Sequence, residues 1–204
     1  MANVAVVDYG MGNVGSVMNA LAFLKVPALV TMESLELRRA SHIILPGVGA
    51  FGEGMANLKN RGLIPLLEEA RDSGKPFLGI CLGMQLLASF GEEGGRHEGL
   101  GWIPGRTRRF NVKEREFRIP HVGWNDVIPE SGALLFKEVS PLIFYFVHSF
   151  VVEPDEKEVV AAYCAYGERF AAALQKENIL GVQFHPEKSQ KSGLAVLERF
   201  INHA

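Results

Sequence analysis

Apolar and polar positions along this chain switch between two periods. Residues 3–8 form a short apolar run closed by Asp8, the pattern of a strand buried on both faces. A Gly-rich turn follows, and then Val14, Val17, Met18, Leu21 and Leu24 recur at helical spacing, with Asn13 placed to cap that helix. Residues 27–31 and 42–45 read as a second and a third strand, the third running into Pro46-Gly47-Val48-Gly49. Leu63, Leu66, Leu67 and Ala70 return to the helical period, and Ser73-Gly74 stops it. Residues 76–80 form a fourth strand, and the spacing predicts a helix over 82–89 that starts without a linker. Alternation of this kind predicts an α/β fold with a central, mainly parallel sheet flanked by helices.

The second half changes character. Between Arg106 and Gln183 the apolar runs are short and broken by Gly, Pro and Asn, which predicts additional antiparallel strands and hairpins. The clearest are 142–147, 159–166 and 170–175. A last strand over 179–184 leads into a closing helix carrying Leu194, Leu197 and Ile201. No internal repeat or low-complexity tract divides the chain, so residues 1–204 are expected to form a single domain.

Composition narrows the field of functions. The 204 residues hold 21 basic and 23 acidic side chains, a balance that argues against a nucleic-acid scaffold. With 48% hydrophobic residues the chain has ordinary globular usage. The longest uncharged runs, 9–24 and 76–91, fall short of the ~18 residues of a membrane span and carry several glycines. The opening residues lack a basic region and a cleavage pattern. Cys81 and Cys164 form no framework, so the expectation is a soluble protein of a reducing cytoplasm. The six histidines show no metal-ligand spacing, and neither a metal nor a cofactor is expected.

The sharpest chemical signal is Gly79-Ile80-Cys81-Leu82-Gly83, a G-x-nucleophile-x-G elbow at a strand-to-helix junction. Glycines flank the nucleophile because the turn leaves no room for side chains, and helical N–H groups after it favour the thiolate. A lone cysteine is more often a buried core residue; a second motif lifts the catalytic reading. In His185-Pro186-Glu187 the two titratable residues stand at i and i+2, so a carboxylate can hold one imidazole nitrogen while the other faces a substrate. Gly47, Val48 and Gly49, with the N–H of Leu82, are candidate donors to an oxyanion.

These blocks, Gly-Ile-Cys-Leu-Gly-Met-Gln at 79–85 and Gly-Val-Gln-Phe-His-Pro-Glu-Lys-Ser at 181–189, resemble the class I, triad-type glutamine amidotransferases. The stretches 8–13, 45–51, 121–125 and 145–150 resemble more narrowly the glutaminase subunits of imidazole glycerol phosphate synthases. The resemblance runs the length of the chain. It implies that Cys81 attacks the glutamine amide, with His185 as base and then acid and Glu187 orienting it. Gln85, Glu93 and the segment His148, Ser149, Phe150 would contact the amino-acid part of glutamine, with Glu92 a competitor of Glu93. It also implies a partner, a (β/α)₈-barrel cyclase subunit of ~250 residues that 204 residues cannot contain. Asn13, Trp124, Tyr145 and Lys188, close in sequence to the site loops, are the candidate interface.

Two rival readings have their own residues. Gly10-x-Gly12-x-x-Gly15 follows a strand and opens a helix, with Glu33 downstream, as in a dinucleotide-binding fingerprint. The basic segment of Arg106, Arg108, Arg109, Lys113, Arg115 and Arg118 is interrupted by Glu114 and Glu116, which favours a solvated hairpin face over an RNA site. Among the amidotransferases, the glutaminase subunits of anthranilate, carbamoyl phosphate and pyridoxal phosphate synthesis remain alternatives.

Overall fold

A computed structural model describes residues 3–113 and 115–203; Glu114 of the basic segment lies outside them. The chain begins β1 (Val4–Val7), α1 (Val14–Phe23), β2 (Ala28–Thr31), α2 (Ser34–Arg39), β3 (His42–Gly47), α3 (Phe51–Asn60), α4 (Ile64–Asp72) and β4 (Phe77–Cys81). It continues with α5 (Leu82–Gln85), β5 (Ala88–Gly91), β6 (His97–Glu98), β7 (Ile103–Arg109), β8 (His121–Pro129), β9 (Ile143–His148) and β10 (Phe150–Pro154). It closes with β11 (Val160–Tyr166), β12 (Glu168–Lys176), β13 (Ile179–Val182) and α6 (Gln190–Ile201).

Nine strands form the main sheet in the order β2-β1-β3-β4-β13-β12-β11-β8-β9. The pairs from β2 through β13 are parallel, and those from β13 to β9 are antiparallel. Every residue of β1, β3, β4 and β13 is buried. A parallel sheet needs helices on both faces, which is why these strands read as continuous apolar runs. Along β1 the sides alternate: Val4 and Val6 pack with α1 and α6, while Ala5 and Val7 pack with α2, α3, α4 and α5. A second sheet, β10-β7-β5-β6, sits beside the nucleophile-bearing turn. Among the described residues no helix is long and apolar enough to cross a membrane.

One expectation is corrected. The helix over 82–89 ends at Gln85, and Ala88–Gly91 is a strand paired in parallel with β7. Residues 82–88 are all buried, and a run without a polar face carries no period that separates helix from strand. Two helices, α2 and α3, went unread, the latter diluted by Gly52 and Gly54, poor helix formers. The dinucleotide fingerprint is a coincidence of spacing. Its third glycine should let helix and strand pack closely, yet a Cβ on Gly15 would meet nothing within 4 Å. The Asn13 side chain also takes the Ser16 N–H at 3.2 Å, one of the groups a pyrophosphate would use.

Candidate active site

Cys81 ends the central strand β4 and caps α5 with φ 53° and ψ −108°, a conformation that side chains rarely adopt. The turn closes only because its neighbours are small. A Cβ on Gly79 would lie 2.6 Å from the Gly83 carbonyl oxygen, and one on Gly83 would run into the Leu45 carbonyl. With four residues α5 is a single turn, too short for the summed helix dipole that the sequence suggested. What remains is local: the Leu82 N–H, in the first turn, has no intrahelical partner.

The loop after β13 supplies the base. Tyr145 reaches across from β9, its carbonyl accepting the His185 N–H at 2.9 Å and its own N–H meeting Ser189 Oγ at 3.0 Å. His185 Nδ1 lies 2.8 Å from Glu187 Oε1, and both side chains are 2% exposed. Desolvation opposes charge on the imidazole, but attraction to Cys81 and to Glu187 outweighs it, and the His185 pKa is pushed up to about 9. Nε2 is buried, and Cys81 is the side chain that acts on this imidazole besides Glu187.

A cavity of about 470 Å³ opens over the sulfur. Val48, Gly49, Leu82, Gln85, Glu93, His148, Ser149 and Phe150 line it together with Cys81, Ala50 and Val147. Gly47 is not among the lining residues. It stands beside Cys81 in the β3–β4 register, where a Cβ would strike the Tyr9 hydroxyl and Leu82, so its smallness serves packing. Gly49, at φ +103°, lets the loop turn over the cavity. Of the competing acids, Glu93 faces the cavity and holds the Phe51 N–H at 2.8 Å, whereas Glu92 pairs with Arg106 at 3.1 Å.

Beneath the cavity runs a buried polar chain in which Gln85, His148 and Phe150 were expected and Gln183 was not. Gln85 Nε2 donates to the Phe150 carbonyl at 3.1 Å and to Gln183 Oε1 at 3.1 Å. Gln183, fully buried, turns its Nε2 toward Cys81 Sγ at 3.7 Å. The same Phe150 carbonyl accepts from His148 Nδ1 at 2.8 Å, and His148 Nε2 lies 3.1 Å from His121 Nδ1. Burial drives both imidazoles toward neutrality, with His121 near 4 and His148 near 3. The signals for Gln183 were its place two residues before His185 and its polarity in an apolar run.

The four candidate interface residues are scattered. Trp124 and Tyr145 face each other across β8 and β9, ring centroids 5.9 Å apart, with Trp124 48% exposed. Val147, on the same strand face as Tyr145, lines the cavity, so this aromatic patch abuts its mouth. Lys188 is exposed beside Glu187, and Asn13 is exposed at the start of α1. Within the basic segment Arg106 pairs with Glu92 and Glu153, Arg108 with Glu153 and Glu168, and Lys113 with Glu116. Cys164 is buried in β11, its thiol pushed up to about 12 by desolvation, as a core residue's would be.

Comparison with known proteins agrees with this geometry. The chain is 47% identical to the imidazole glycerol phosphate synthase subunit HisH of Moorella thermoacetica, covering 100% of this chain and 98% of that one. It is 46% identical to the protein of the same name from Rhodopirellula baltica, covering 97% and 96%. The solved structure of PurLQS from Thermotoga maritima shares the fold at a TM-score of 0.77 with 20% identity, covering 100% and 99%. The model of the class-I glutamine amidotransferases matches residues 5–204. This chain belongs to the class-I glutamine amidotransferase family.

Proposed function

We propose that this chain is the glutaminase subunit of an imidazole glycerol phosphate synthase, releasing ammonia from glutamine for a partner cyclase subunit. The observation that carries the reading is the Cys81 elbow beside the buried His185–Glu187 pair, in a chain matched along its full length by proteins of that name. Transfer of the Cys81 thiol proton to His185 Nε2 leaves a thiolate that attacks the side-chain carboxamide carbon of glutamine. The oxyanion that forms is stabilised by the Leu82 N–H and by the loop of Val48 and Gly49. The imidazolium returns its proton to the departing nitrogen, ammonia leaves, and a γ-glutamyl thioester remains. His185 then takes a proton from water, hydroxide attacks the thioester, and glutamate is released with the thiolate regenerated. Glu187 holds the imidazole in the required tautomer throughout. Glu93 faces the cavity as the charge partner for the glutamine α-ammonium, with Gln85 and the segment 148–150 framing the rest.

Ammonia set free in neutral water is protonated and ceases to be a nucleophile, so it must pass directly into a partner. A (β/α)₈ barrel of ~250 residues is the partner such a cyclase provides. The patch of Trp124 and Tyr145, continuous with the cavity mouth through Val147, is the docking face this reading assigns, and Asn13 and Lys188 are further exposed candidates for it. Glutamine hydrolysis measured with and without the cyclase subunit and its nucleotide ligand tests the reading. The isolated chain is expected to turn over slowly and to accelerate by orders of magnitude in the complex. A full rate without any partner would overturn the coupling.

A further inference from the structure

Gln183 has no part in the triad, yet its side chain is fully buried and its Nε2 is 3.7 Å from the nucleophilic sulfur. Amide oxygen and nitrogen are close in size, so the orientation of a buried Gln must be argued from its partners. Here one carbonyl settles it. The Phe150 oxygen only accepts, so the atom of Gln85 that faces it at 3.1 Å is Nε2. That same nitrogen faces Gln183 at 3.1 Å, so the Gln183 atom there is the acceptor Oε1. The remaining Gln183 nitrogen therefore presents an N–H to Cys81. The Phe150 carbonyl is fixed in turn by His148 Nδ1, which donates to it at 2.8 Å.

We infer that Gln183 is a further residue of the nucleophile's machinery, its amide N–H holding the Cys81 sulfur and favouring the thiolate. This deepens the glutaminase reading and rests on it. The thiol proton has two acceptors at hand, the Val147 carbonyl at 3.9 Å and the His185 imidazole. Turning that proton onto His185 Nε2 breaks the S–H bond and forms N–H, and the sulfur gains a full negative charge. A hydrogen bond to a charged group outweighs one to the neutral thiol, so the Gln183 N–H strengthens as the charge appears. Gln183 thereby links the reactive sulfur to Gln85 and to the carbonyl between the glutamine-framing residues. The titratable groups that act on Cys81 or on its base are Tyr9, His148, His185 and Glu187, and a Gln183 variant retains all of them.

Alkylation by iodoacetamide reads the thiolate directly, in the full chain and in its complex. Gln183→Met keeps most of the volume and removes the donor. At neutral pH it is expected to alkylate Cys81 about fivefold or more slowly than the unmodified protein. The rates should converge at alkaline pH, where the thiol ionises unaided; a merely structural role would not produce that convergence. Cys164, buried and unreactive, reports that the core is intact by staying unlabelled. In the unmodified protein, the Gln183 side-chain amide resonance should shift as Cys81 is titrated or alkylated, a measurement that needs no variant to fold. Unchanged alkylation in Gln183→Met with Cys164 protected, or an amide resonance indifferent to Cys81, would overturn the inference. Failure of the glutaminase reading shows separately, as a complex of unmodified subunits that does not hydrolyse glutamine.

Discussion

The backbone at Cys81 gives a prediction in which the usual order of two substitutions reverses. At φ 53° and ψ −108° a residue with a Cβ is strained, by about 1–3 kcal/mol for conformations of this kind. Neither Cys81→Ala nor Cys81→Gly has a nucleophile, so their difference isolates the backbone. At an ordinary position glycine is less stable than alanine by about 0.5–1 kcal/mol, because the unfolded chain gains freedom. Set against strain of about 2 kcal/mol, the balance favours Cys81→Gly by about 1 kcal/mol. Cys81 is only 6% exposed, so the buried methyl of alanine takes back up to about 0.8 kcal/mol and leaves Cys81→Gly ahead by a few tenths of a kcal/mol. For a chain of this length that corresponds to a melting temperature about 1 °C above that of Cys81→Ala. Calorimetry or urea unfolding monitored by circular dichroism measures it. Cys81→Ala the more stable by 0.5–1 kcal/mol, as at a relaxed site, would refute strain at the elbow.

Glu187→Gln keeps the shape of the His185 partner and removes its charge. It should lower kcat about 10²-fold or more and move the alkaline limb of the kcat/KM profile downward from about pH 9, and an unmoved limb would contradict the coupling. The sign for stability follows from the same group: its folded pKa lies above 6.5, so its contribution is full below pH 6.5 and is lost as pH rises through about 9. His121 and His148 act oppositely, with folded values near 4 and 3. Stability from them should fall as pH drops below 6.5, and a flat urea midpoint between pH 6.5 and 5 would refute their neutrality. Iodoacetamide should label Cys81 and spare Cys164, whose thiol is pushed up to about 12, as peptide mass mapping would show; equal labelling would count against the assignment. Trp124→Ala and Lys188→Ala should weaken subunit association or partner-stimulated hydrolysis while leaving the circular dichroism unchanged. Full stimulation in both would move the docking face elsewhere.

How far the sequence led depended on what each residue's neighbours in sequence could reveal. The strands of the parallel core were legible because both their faces are buried and they read as apolar runs. The elbow was legible because Gly79 and Gly83 have no other reason to flank a cysteine so closely. The second sheet was not. On β7 the buried positions include Gly105 and Thr107, so the strand displayed its arginines and read as a basic segment. Its partner β5 arrives as the tail of an apolar run that periodicity assigns to a helix. Gln183 was hidden for a different reason. A polar residue in an apolar strand shows itself as an exception, but its partners Gln85 and Cys81 lie about a hundred residues away. The choice between Glu92 and Glu93 likewise needed Arg106 in place, since two adjacent acids have the same local signature.

The central claim is that Cys81 cleaves the glutamine amide to supply ammonia and does nothing else that synthesis requires. Formation of imidazole glycerol phosphate by the assembled complex, fed either glutamine or a high concentration of ammonium salt, tests it most directly in the Cys81→Ala variant. The account predicts that synthesis from glutamine is abolished while synthesis from ammonium persists at the rate of the unmodified complex. Loss of both would show that Cys81 serves the structure of the complex, and retention of both would show that the nucleophile lies elsewhere.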